Sequence, residues 1–64
     1  MNLKEKRLEK GMTQTELAEA IGTTQAAVTR FETGARQPKP STAKKIAAVL
    51  GFSWTEFYEE EEEK

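Results

Sequence analysis

The stretch TQTELAEAIGTTQAAVTRFETG, residues 13–34, constrains this chain more than any other, because it carries two helix starts and two helix stops in close succession. Thr13-Gln14-Thr15-Glu16 is a capping-box pattern, in which a hydroxyl and a carboxylate each satisfy a backbone N–H that the helix itself leaves orphaned. Leu17, Ala18 and Ile21 follow at i, i+1 and i+4 and share one inward face, while Glu16 and Glu19 stay in water. Gly22 then offers a backbone position that reaches positive φ without a Cβ clash, as a sharp turn between helices requires. Thr24 is a natural N-cap for a second helix, which Gly34 ends. Two short helices joined by a tight turn is the plain physical reading.

On the second of these helices Val28 and Phe31 lie three apart on one face, whereas Gln25, Ala26, Thr29 and Arg30 point elsewhere. A helix whose outer face meets only water usually shows long charged residues there. This one shows a leading amide, a small alanine, a hydroxyl and one arginine, groups that approach base edges closely.

Sixty-four residues make one domain, near the lower size at which a single apolar core holds a chain folded. With no cysteine and no histidine, disulfides, zinc sites of the Cys/His kind and nucleophile–histidine pairs are excluded. Glu is the sole carboxylate type, so no paired general acid and base can be assigned, and an enzyme is not expected. The glycines are scattered helix stops without phosphate-loop spacing. No cofactor, metal or small-molecule ligand is expected. No apolar run approaches the roughly 20 residues of a membrane span, and the opening MNLKEKRLEK has no signal-peptide core, so a cytoplasmic location is the expectation.

The net charge of −1 averages two unlike parts. Residues 1–58 hold nine Lys/Arg against six Glu, giving +3, and residues 59–64 hold five Glu and one Lys, giving −4. The chain therefore divides into a mildly basic domain, 1–58, and an acidic tail, 59–64. Such a like-charge run is ordinarily a solvated segment. The sharper alternative is that it lowers affinity for an anionic partner by repelling phosphate or competing for the basic face.

Upstream, a first helix is expected over residues 3–10, with Leu3 and Leu8 in the core and Gly11 as its stop. Residues 35–40, ARQPKP, form a loop in which two prolines disfavour regular helix. Ser41 is expected to cap a fourth helix through Leu50, whose apolar face is Ala43, Ile46, Ala47 and Leu50. Ser53-Trp54-Thr55-Glu56 repeats the capping-box pattern and starts a short fifth helix. Phe52 and Phe57 are expected to close the core, with Trp54 and Tyr58 left partly exposed.

Gln14, Ala18, Gly22, Val28 and Phe31 have the spacing of the helix-turn-helix of the phage repressor and Cro family, also called XRE-like, and the chain resembles that family. The likeness extends through Arg7, Gly11, Met12 and Thr13 upstream and Glu32 and Gly34 downstream. The segments RLEKGMTQTELA, GTTQAAVTRFETG and KIAAVLGFSWTEF carry it together, in order, as far as Tyr58. The resemblance implies an all-α, compact five-helix repressor-like DNA-binding domain that lays the second helix of the motif in the major groove. It implies sequence-specific binding of double-stranded DNA by a repressor-like transcriptional regulator. The alternative is a protein-interaction module, such as an antitoxin-like partner, that binds another protein as well as or instead of DNA.

The site residues follow. Gln25, Ala26, Thr29 and Arg30 are the expected base contacts. A Gln amide donates to N7 and accepts from N6–H of adenine, Arg30 reaches a guanine or a phosphate, and Ala26 or the Thr29 methyl touches a thymine methyl. Ala26 is too short to hydrogen-bond a base, so a relative's operator does not carry over. Gln14, Thr24, Thr33, Arg36 and Lys39 are the expected phosphate contacts. The family's Gln stands at position 14, and the two loop cations are well placed for phosphate, although a soluble connector explains them as well. By resemblance Arg7 pairs with Glu32 inside the domain, where its fork suits a carboxylate; the plainer reading of Arg7 is a solvated charge. Trp54 and Tyr58 fall where similar domains carry a dimer interface, although Trp54 merely covering the core fits equally. A homodimer on a palindromic operator, formed in solution or only on DNA, completes the expectation.

Overall fold

The computed structural model describes residues 2–58. Four helices, α1 (Leu3–Glu9), α2 (Gln14–Ile21), α3 (Gln25–Thr33) and α4 (Pro40–Leu50), are followed by a single 3₁₀ turn, Trp54–Phe57, and no strand occurs among the described residues. The all-helical class is as the sequence implies. The fifth element is a short helix as expected, of the 3₁₀ type, but it lacks the expected capping box: the Ser53 hydroxyl lies 2.8 Å from that of Thr55 and makes no capping bond to the backbone.

Helices this short are marginal in isolation, so packing holds them. Leu3, Leu17, Ala18, Ile21, Val28, Ile46 and Leu50 form one buried cluster, with Leu17, Val28 and Ile46 wholly enclosed. Met12, Phe31, Val49, Phe52 and Phe57 close over it, half-buried. Phe52 and Phe57 take the lid position expected of them, their rings 5.6 Å apart. α2 lies against both α3 and α4, α4 against the 3₁₀ turn, and α1 against α3.

Local chemistry sets most boundaries. Thr13 Oγ1 accepts from Glu16 N (3.0 Å) while Glu16 Oε1 accepts from Thr13 N (2.9 Å), the reciprocal cap in full. Gly22 ends α2 at φ 79°, and Thr24 Oγ1 accepts from Ala27 N (3.1 Å) to start α3.

Two further expectations fail. Leu8 is 55% exposed rather than in the core. With about 100° per residue, it points roughly 140° from Leu3, and Arg7, 6% exposed, takes the inward place. The fourth helix begins at Pro40, with Lys39 as its cap residue and no side-chain cap bond, so Ser41 does not cap it. Proline suits the first helical position, since its missing N–H would be unpaired there and its φ is already helical. The acidic residues 59–64 lie outside the described residues.

Candidate nucleic-acid interface

The capped turn between α2 and α3 leaves one side of α3 uncovered. Gln25, Ala26, Arg30 and Thr33 are exposed and Thr29 is half-buried, so they form a stripe along the helix, while Ala27 and Val28 on the opposite side enter the core. Ala27 went unremarked in the sequence, where two adjacent alanines look alike. The 34th residue, Gly34, ends α3 at φ 88°, and the loop after it carries exposed Arg36 and Lys39. Arg36 lies over the Phe31 ring, 5.9 Å from its centroid. Thr24 and Thr33 are exposed at the two ends of α3, Thr24 as its cap and Thr33 donating to Arg30 O (3.3 Å).

Behind the stripe runs a chain of polar contacts. Arg7 Nη1 donates to Met12 O at 2.8 Å, and Arg7 Nε donates to Glu32 Oε2 at 2.6 Å. Their side chains are only 7% and 5% exposed. Glu32 Oε1 accepts from Gln14 Nε2 (3.0 Å), and Gln14 Oε1 accepts in turn from Gln25 Nε2 (3.1 Å) and Thr29 Oγ1 (3.0 Å). α1, α2 and α3 are thereby tied together at the base of the stripe. Burial pushes the Glu32 carboxyl up, but the hydrogen bonds from Arg7 and Gln14 and the charges of Arg7 and Lys4 outweigh it and hold it below the ordinary carboxylate value. Among the described residues, no buried side-chain nitrogen or oxygen lacks a partner.

Gln14 is thus a junction between the helices. Its carbonyl is taken by two α3 side chains, and one of its two amide hydrogens by Glu32. Sequence reasoning missed the links from Gln14 to Gln25, Thr29 and Glu32, since nothing in the spacing of single residues reports which side chains meet.

Trp54 and Tyr58 are half-buried. Lys44 Nζ sits 5.0 Å from the Trp54 ring centroid, the two aromatic rings meet edge to face, and the Tyr58 hydroxyl donates to Pro38 O (3.0 Å). Among the described residues no cluster of side chains could hold a metal ion, and no helix is long and apolar enough to cross a membrane.

Compared with known proteins, residues 3–57 match the model of the helix-turn-helix family. The chain belongs to that family. It is also 48% identical over 58 residues to an uncharacterized HTH-type transcriptional regulator, YqaF, of Bacillus subtilis (strain 168), a match covering 91% of this chain and 76% of the relative. No solved structure matches it significantly. Within the helix-turn-helix, α2 is the first helix of the motif and α3 the second, so the uncovered stripe falls on the helix that such motifs present to the major groove.

Proposed function

We infer that this helix-turn-helix protein is a DNA-binding transcriptional regulator that reads double-stranded DNA with α3. The observation that carries the reading is the stripe of Gln25, Ala26, Thr29, Arg30 and Thr33, left open on a helix whose opposite side is locked into the core. The groups on it are short or planar and end in donors and acceptors, as base edges require.

Gln25 is the principal base contact, with Ala26 and Thr29 against thymine methyls and Arg30 toward guanine or phosphate. Gln14, Thr24, Thr33, Arg36 and Lys39 flank the stripe and fix its register on phosphate oxygens. Arg7 and Glu32 stay inside and hold α1 to α3. Recognition is an equilibrium between bound and free duplex, with no covalent step. Two copies on a palindrome, half-sites about one helical turn or roughly 34 Å apart, supply the contacts that one small domain lacks. Trp54 and Tyr58 form the contact between them, and the cytoplasm is where the protein meets its operator.

Selection of bound duplexes from a random pool at near-physiological salt tests the reading. A recurring palindromic sequence supports it, and a pool that stays random contradicts it. In the selected site Gln25→Ala costs about 1–3 kcal/mol and relaxes preference at one base pair, whereas Arg36→Ala weakens all duplexes alike and reduces the salt slope by roughly one.

A further inference from the structure

We propose that Glu32, which lies behind the motif and out of reach of DNA, selects the base that Gln25 accepts by fixing the polarity of the Gln14 amide. The proposal rests on Gln25 being a base contact. An ionised carboxylate offers only acceptors, so the end of Gln14 that faces Glu32 is its NH₂ group (3.0 Å). The carbonyl end therefore faces α3, where it takes hydrogen bonds from Gln25 (3.1 Å) and Thr29 (3.0 Å).

An acceptor on that side holds Gln25 by one of its N–H groups. What remains outward is its second N–H beside its Oε1. That donor–acceptor pair matches N7 and N6–H₂ of adenine and mismatches guanine, whose N7 and O6 are both acceptors. With the Gln14 amide turned over, Gln25 would be held by its own Oε1, and the N–H and oxygen it presents outward would stand in reversed order, setting oxygen against N7 of adenine and leaving an N–H for an acceptor of guanine. Glu32 cannot swing away from its task, because Arg7 grips its other oxygen at 2.6 Å and is itself tied to Met12 O at 2.8 Å. Glu32 is thus a positioning residue whose effect is read in base preference.

The test uses two duplexes from the selected pool that differ only by adenine or guanine at the base pair that responds to Gln25→Ala. Affinities are compared by fluorescence anisotropy for the wild type, Glu32→Gln and the double variant Gln14→Glu/Glu32→Gln. An amide at position 32 can offer its nitrogen to Gln14 and release the constraint, so Glu32→Gln lowers the adenine-over-guanine preference roughly tenfold. The double variant restores an obligatory acceptor facing Gln25, at unchanged net charge, and recovers the preference. If Glu32→Gln loses its helical signal, Gln14→Leu decides. It keeps the Arg7–Glu32 pair whole but cuts the route to Gln25, and it loses the same preference. Discrimination that depends on Gln25 yet survives Glu32→Gln, or survives Gln14→Leu where that variant decides, overturns the proposal alone. Discrimination indifferent to Gln25→Ala sinks the reading of Gln25 and the proposal with it.

Discussion

Arg7 and Glu32 are the residues at which fold and recognition meet, since the same carboxylate closes an ion pair on one side and orders Gln14 on the other. Breaking a buried pair from one side leaves the other charge without compensation. Arg7→Ala therefore destabilises the domain by about 3–5 kcal/mol, read as a lowered midpoint in urea or thermal unfolding followed by circular dichroism. Lys6 and Glu56, 3.7 Å apart and each about a third exposed, make the contrast: Lys6→Ala costs under about 1 kcal/mol. The pair also sets a pH dependence. The Glu32 carboxyl is lower in the folded chain than its ordinary value of 4.5, so the unfolded chain takes up the proton first. Its stabilising contribution is complete above that value and is lost as the pH falls through the lowered one. Unfolding curves between pH 6 and pH 3 should show this acid limb in the wild type and a flatter one in Glu32→Gln; equal slopes would separate Glu32 from acid stability.

At the scale of the helices, the turn between α2 and α3 depends on Gly22, which adopts φ 79° with nothing within 4 Å of where a Cβ would lie. Gly22→Ala meets no clash, so its cost is backbone strain alone, about 1–2 kcal/mol. Leu8→Lys, on the water-facing side of α1, changes stability by no more than about 0.5 kcal/mol; a larger loss would mean that Leu8 is packed. These elements also show how far the sequence could be read. The caps at Thr13 and Thr24 and the stops at Gly22 and Gly34 act within one turn of chain, so they were legible, and with them the α3 stripe. Leu8 escapes a reading by residue type, because Leu is a commoner core residue than Arg, and only a partner 25 residues away, Glu32, makes Arg7 the buried one. Ser41 has the chemistry of a cap, but Pro40 before it, a breaker inside a helix, is well suited to the first helical position and moves the start forward. The contacts of Gln14 join positions 11, 15 and 18 residues distant and leave no periodic trace.

For the molecule as a whole, the proposed binding rests on charge and copy number. The acidic residues 59–64 offset a basic 1–58, and their deletion should tighten non-specific duplex binding at low salt, measured by anisotropy; unchanged affinity would leave them as a solubilising segment. Sedimentation should give two copies per palindromic duplex, whatever the state of the free 7.2 kDa chain. The central claim, that duplex DNA meets α3 and the loop after it, is tested most directly by following backbone amide signals in a ¹⁵N-labelled sample as duplex is added at low salt. The largest shifts should fall on Gln14, on residues 24–33 and on Arg36 and Lys39. Shifts confined to Trp54 and Tyr58, or none at all, would contradict it.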